Sequence, residues 1–150
     1  MSTVEKAQRL FAECGKLLGA NITESTENKS YRFTLKNGCE LFVDYLEPVK
    51  RMMFVAPMME LPQKDNEDAL LDLLELNMYW DELAGGQFAL FLERNEVVLV
   101  RQFEIDTVEP KSFCNALARF MEAAAIWFDA LNERTETEKS SAPKQDFMRV

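Results

Sequence analysis

Along these 150 residues the apolar positions change period several times, and each change marks an element. From Ser2 to Gly19, Val4, Ala7, Phe11, Cys14 and Leu18 recur at helical spacing with Leu10 and Leu17 beside them, the stripe of an amphipathic helix. Ser2 with Glu5 makes a capping-box pattern, and Gly19 can end the helix in the left-handed conformation. Residues 20–30, ANITESTENKS, read as a polar connection. Alternation by two then takes over in SYRFTLK and CELFVDYL around Asn37-Gly38, a pair suited to a type I′ turn because both of its central residues need positive φ. A two-residue loop sets Phe33 opposite Phe42 and puts Arg32, Thr34 and Lys36 on one face with Leu41, Val43 and Tyr45. The second strand is then apolar on both sides, one for the core helices and one for a second core layer or an exposed binding surface.

Residues 51–60, RMMFVAPMME, read as a third strand. Pro57 has no N–H for a ladder, so this strand belongs at a sheet edge or bulges there. Met52, Met53, Met58 and Met59 are either adaptable core filler or a surface that repacks around peptide side chains, and an edge strand carrying them suits strand addition.

The most apolar stretch runs from Asp65 to Phe103: DNEDALLDLLELNMYWDEL, then AGG, then QFALFLE and EVVLVRQF. It predicts a helix with Asp65 or Asn66 as N-cap, a stop at Gly85-Gly86, and a hairpin. On that helix Ala69, Leu70, Leu71, Leu73, Leu74, Leu76 and Met78 spread over roughly 220°, too wide for one buried face, while Asp68, Asp72 and Glu75 mark the wet side. A second subunit is the economical cover. Pairing across Arg94-Asn95 sets Leu92 against Val97, Phe91 against Val98 and Leu90 against Leu99, so the hairpin is apolar on both faces, and is central or covered by a partner. A last helix from Pro110 to Asn132 carries the stripe Phe113, Leu117, Phe120, Met121, Ala124, Trp127, Phe128 and Leu131. Residues 133–150 are polar and read as a disordered tail.

Composition narrows the function. A net charge of −9 and no basic patch with interleaved aromatics argue against nucleic acid and anionic membrane as partners. The N-terminus lacks a signal-peptide core, which points to the cytoplasm, and Cys14, Cys39 and Cys114 read as buried or semi-buried free thiols acting as small hydrophobes, with a thiol switch as the alternative. There is no histidine, and no GxSxG, Walker, GxGxxG or HExxH pattern. The acids at 65–75 sit where a helix normally carries them, so neither catalysis, a metal nor a cofactor is expected. The double glycine precedes a strand, so it is no phosphate cradle.

The predicted order α-β-β-β-α-β-β-α, the acidity and the stretch ALLDLLELNMYWDELAGGQFALFLERNEVVLVRQFEI, with Asn77, the Gly85-Gly86 corner and the closing hairpin, resemble the class I chaperones of bacterial type III secretion, the Tir chaperone family. FMEAAAIWFDAL in the final helix is similar too, and the resemblance covers roughly residues 2–132. It implies a single α+β domain over 1–132, with helices packed on a twisted, largely antiparallel sheet, forming a homodimer without enzymatic activity. Such a protein binds the N-terminal segment of a secreted effector in extended form in the bacterial cytoplasm, and keeps it soluble for the secretion apparatus, whose ATPase would be a further partner. The expected dimer contact is Leu71, Leu74, Met78, Trp80, Phe91, Val98 and Val100. The expected effector surface is Phe11, Leu41, Val43, Tyr45, Met53 and Val55, with core burial as the plain alternative for each. A small dimeric adaptor of the same architecture that binds a folded partner is the competing reading.

Overall fold

The computed structural model describes the backbone over residues 3–18, 22–25 and 30–139, and side chains over 5–13 and 31–133. The expected Ser2 cap, the Gly19 stop and the side chain of Cys14 lie outside the described residues. The elements are α1 (Thr3–Leu18), β1 (Ile22–Ser25), β2 (Ser30–Thr34), β3 (Glu40–Leu46), β4 (Arg51–Glu60), α2 (Glu67–Leu76), β5 (Gln87–Phe91), β6 (Glu96–Glu104) and α3 (Pro110–Lys139). All strand pairs are antiparallel, in the order β1-β2-β3-β4-β6-β5. The α+β class holds, with one strand more than expected: β1 lies in the stretch read as a polar connection and pairs with β2 from Ile22↔Phe33 to Ser25↔Ser30.

One sheet face is dry. Phe33, Leu41, Val43, Met52, Phe54 and Leu99 meet Leu10 and Phe11 of α1 and Phe113, Leu117 and Phe120 of α3 in a single buried cluster. Phe54 is its centre, with ring centroids of Phe103, Phe113 and Phe120 at 5.0, 5.3 and 5.4 Å, tilted or edge-on as aromatic quadrupoles favour.

The β2–β3 hairpin does not form the two-residue turn. Leu35 N–H donates to the Cys39 carbonyl and Gly38 N–H to the Leu35 carbonyl, at 2.9 and 3.0 Å, closing a three-residue loop in which Gly38 alone has positive φ. Asn37 is occupied elsewhere: its amide donates to the Ala125 carbonyl and to Asp129 Oδ1 on α3, both at 3.1 Å, while its oxygen accepts from Cys39 N–H. Phe33 therefore pairs with Leu41 rather than Phe42, and a one-residue slip turns every side chain of β3 to the other face.

β4 takes the bulged alternative that Pro57 allowed rather than the edge position. It lies inside the sheet, between β3 and β6, and accommodates Pro57 by a register shift between Pro57 and Met59. Its methionines divide, with Met52 and Met58 buried in the core and Met53 half-buried on the opposite face. The sheet edges are β1 and β5.

α2 ends at Leu76, well short of the glycines. Asn77 stops it by acting as a strand in miniature: its oxygen accepts from Phe88 N–H at 2.7 Å and its amide donates to the Phe88 carbonyl at 3.1 Å. The chain then descends through successive turns to Gly85 (φ +77) and Gly86. Replacing Asn77 by Ala leaves both polar groups of Phe88 without that partner, so an unfolding titration is expected to show a loss of about 2 kcal/mol.

The inward arc of α2 also differs from expectation. Asn66 sits at the N-cap without a side-chain cap bond and donates instead to the Pro62 carbonyl. Ala69, Asp72, Leu73 and Leu76, spaced i, i+3, i+4, i+7, face the body, and Asp72 is only 3% exposed although its charge assigned it to water. α3 runs on to Lys139 past the expected end at Asn132, since neither Gly nor Pro interrupts ERTETEK. Residues 133–139 are thus helical where a tail was expected, and 140–150 lie outside the described residues. Among the described residues no helix is long and apolar enough to cross a membrane.

Candidate partner-binding surface

The second sheet face is open and apolar. Phe42 of β3, Met53, Val55 and Pro57 of β4, Val98 and Val100 of β6, and Ala89 and Phe91 of β5 line a hollow of about 530 Å³. Alternation builds it, because each strand that sends one set of side chains to the core sends the next set here. Asp44, Arg94 and Glu96 stand among the lining residues and give it a charged rim.

Beyond β5 the surface continues onto α2. Between that edge strand and the helix lies a crevice of about 270 Å³, with Leu70, Leu73, Leu74, Phe88 and Val97 in its walls. Ala89 and Leu90 border both the hollow and the crevice, so the two are joined around the strand. Outward from the crevice, Leu71, Leu74, Met78 and Trp80 are each more than half exposed, Met78 to 78%. Because Asp72 occupies the inward arc, these leucines are left outside, which reverses what hydropathy favours in an isolated chain.

The corner that holds this edge in place is tight. A Cβ on Gly86 would lie 2.8 Å from the Val100 carbonyl oxygen and 3.1 Å from that of Leu83. Arg101 braces the same turn: its Nη1 donates to the Ala84 carbonyl at 2.6 Å, and its guanidinium lies 4.5 Å from the Phe103 ring centroid. Burial, and then the neighbouring Arg119, lower its pKa. On the far side Asn95, with φ +50, closes the β5–β6 loop and donates to the Leu61 carbonyl at 2.6 Å. That tie makes a four-residue loop, so Leu90 pairs with Val97 and Phe91 with Glu96, two positions from the expected register but with the same faces.

The expected site residues redistribute. Leu71, Leu74, Met78, Trp80 and Phe91 are exposed, Leu74 also stands in the wall of the crevice, and Val98 and Val100 line the hollow with Phe91 on the outer sheet face. Met53 and Val55 lie on that same face. The other four expected effector residues do not. Phe11, Leu41, Val43 and Tyr45 are buried beneath the helices, Phe11 stacked on Tyr31 with centroids 3.8 Å apart. The hairpin slip sends the three β3 residues inward, and Phe11 lies on the core stripe of α1. Phe42 and Pro57 take their places on the open face; the alternation of β3 carried that signal, but only the register says which parity faces out.

Among the described residues the cysteines offer no activated thiol. Cys39 is free and buried, with burial first and Asp129 and Glu40 next pushing its thiol from 9.0 up to about 11. Cys114 is disulfide-bonded, which corrects the expectation of free thiols throughout. No cluster of three or more metal-ligating side chains occurs among the described residues.

The sequence profile of the Tir chaperone protein (CesT) family matches residues 9–128. The chain belongs to this family. The family is one of chaperones and not of enzymes. No curated protein matches the sequence. Among solved structures the fold is similar to a chain of the ExsC–ExsE complex, with a TM-score of 0.68 and 19% identity over 86% of this chain and 96% of that one. A chain of the HopA1–SchA chaperone–effector complex gives 0.65 and 13% identity, covering 84% and 95%. One from the heterodimeric ExoU–SpcU complex of the type III secretion system of Pseudomonas aeruginosa gives 0.60 and 20%, covering 79% and 92%. Family membership extends across both the α2–β5 edge and the open face, so the surface described above is built entirely within the matched region.

Proposed function

We propose that this chain is a type III secretion chaperone of the bacterial cytoplasm that works as a homodimer and holds the N-terminal segment of a cognate effector in extended form. The observation that carries the reading is the continuous apolar surface running from α2 around β5 and across the outer sheet face. Apolar surface of this extent on a chain of net charge −9 calls for a partner.

The two halves of the surface differ in shape. The exposed half, Leu71, Leu74, Met78 and Trp80, suits a two-fold contact in which one patch meets its own copy, extended by Phe91, Val98 and Val100 in the adjoining wall of the hollow. The concave half, Phe42, Met53, Val55 and Pro57, suits successive side chains of an extended segment. Strand addition to β4 is closed off by β3 and β6, so backbone pairing with a partner falls to an edge, β1 or β5. No nucleotide or metal enters, because burial of apolar side chains supplies the affinity.

The test is limited proteolysis of the complex purified with its bound chain. A long protected effector segment without a globular fold supports the chaperone reading, whereas a compact folded partner supports an adaptor. Met53→Asp or Val55→Asp is expected to reduce effector capture at least tenfold in a pull-down while the sedimentation mass of the free protein stays unchanged. Unaltered capture by both variants would remove the open face from the effector site.

A further inference from the structure

One covalent bond takes no part in the surface described above, the disulfide of Cys114. The sequence has three cysteines, Cys14, Cys39 and Cys114, and Cys39 is free. Cys39 is also held away from that bond, with its Sγ 4.0 Å from the Ala124 carbonyl oxygen, which lies about 15 Å along α3 from Cys114. Cys14 is the remaining partner, and the backbone of α1 carries it on the side this requires. Leu10 and Phe11, buried at 1% and 2%, share one cluster with Cys114 and its neighbours Phe113 and Leu117. Cys14 follows Leu10 at i+4 and Phe11 at i+3, so it stands on the same face of α1.

The position of such a bond gives it leverage. In the first turns of α1, Lys6 Nζ donates to the Asp106 carbonyl at 3.3 Å, just ahead of α3. A bond from Cys14 to Cys114, about two turns further along α1, pins the helix to the α3 side at a second point. Between the two ties Phe11 covers β2, with its ring centroid 3.8 Å from that of Tyr31 and 5.1 Å from that of Phe33. Whatever holds α1 down therefore keeps the apolar side chains of β2 covered.

We propose that Cys14 and Cys114 form a reversible redox clasp between α1 and α3, which closes when the surroundings turn oxidising and keeps α1 seated on the sheet. Closure by a low-molecular-weight disulfide such as oxidised glutathione takes two exchanges. One cysteine thiolate attacks the glutathione disulfide and expels a thiolate, and the second cysteine, deprotonated, then attacks the mixed disulfide and expels the other. The protein loses two S–H bonds and gains one S–S bond, giving up two electrons and two protons, and the glutathione disulfide is reduced to two thiols. Excess reduced glutathione runs both steps backwards. Cys39 stays outside the exchange, because burial and nearby acids push its thiol up to about 11 and suppress the thiolate that would attack. The clasp stands on the cysteine count, the free Cys39 and the packing of α1 against α3. Only one consequence, that a reducing cytoplasm holds it open until oxidant arrives, rests on the function proposed above.

The experiment uses the full free chain with no effector present, so its failure leaves the effector reading untouched. The protein is equilibrated over a series of ratios of reduced to oxidised glutathione, quenched in acid, unfolded and alkylated, and its peptides are identified by mass. The expected result is a Cys14–Cys114 link within one chain that forms and breaks reversibly along the series, with Cys39 alkylated throughout. A link that includes Cys39, a link between two chains, no link in the most oxidising mixture, or a link that survives the most reducing one overturns the proposal. Hydrogen–deuterium exchange and calorimetry read the effect on α1. Opening is expected to speed exchange in α1 at least tenfold, more than in β6, and to lower Tm by roughly 5–15 °C, because the bond closes a loop of about 100 residues. Cys14→Ser is expected to behave as the reduced parent in both mixtures, whereas Cys39→Ser keeps the response. Equal α1 exchange in the two forms of the parent, or a redox response that persists in Cys14→Ser, also overturns the clasp.

Discussion

Leu74→Glu is expected to convert the protein to monomers without unfolding it. Leu74 is 66% exposed on the outward side of α2, so in the isolated chain a carboxylate there reaches water and gives up only the leucine's share of the crevice wall. In a two-fold contact through this patch the same change acts twice and buries two like charges in an apolar seam. Dimer affinity is expected to fall by roughly 100-fold or more, on the order of 3 kcal/mol, typical of losing a central apolar anchor. Sedimentation velocity across a concentration series reads the loss, and circular dichroism shows whether the secondary structure survives. Leu71→Glu should behave alike. Arg9→Glu, at an exposed position of α1, is the matched surface control and should leave the mass unaltered. A Leu74→Glu protein of unchanged mass would move the seam away from α2.

The second large effect is at the corner that positions β5. Gly86→Ala forces a methyl against two carbonyl oxygens, Val100 at 2.8 Å and Leu83 at 3.1 Å, and both belong to backbone that cannot swing aside. Over-packing of this kind costs about 2–3 kcal/mol, which for a chain of this size lowers Tm by roughly 5–10 °C. Gly38→Ala is the comparison. It meets nothing within 4 Å and carries only the strain of φ +89, so about 1 kcal/mol is expected. Calorimetry of the pair separates steric approach from backbone conformation. Equal losses would show that the corner relaxes and that β5 tolerates displacement. Because β5 lies between the hollow and the α2 crevice, a displaced corner should also weaken self-association.

The contrast between the hairpins shows where sequence reading stops. At Arg94-Asn95 the loop is two residues longer than local turn chemistry suggests, yet a shift of two positions keeps the parity, so Phe91, Val98 and Val100 stay together on one face. At Asn37-Gly38 the error was one position, and Leu41, Val43 and Tyr45 moved from the expected binding face to the core. In each case a long-range side-chain bond set the loop, Asn37 to α3 and Asn95 to Leu61, and local turn chemistry carries no information about such a bond. Asn77 did the same to α2, ending by a bond to Phe88 a helix that propensity alone carries on towards the glycines.

By itself the sequence determined the α+β class, two of the three helix stripes, the two-sided apolar hairpin and the excess of leucine on α2, because these follow from periodicity and count, which are local quantities. It also carried the family, through the run from Ala69 to Ile105. Only the tertiary structure decided which parity of each strand faces the helices, that β4 is interior, and that Asp72 turns inward while Leu71 and Leu74 turn out. Those choices depend on hydrogen bonds between residues distant in sequence and on the competition of every element for one core. A strand with apolar residues on both faces, or a helix apolar around most of its circumference, leaves them undetermined until the other elements are in place.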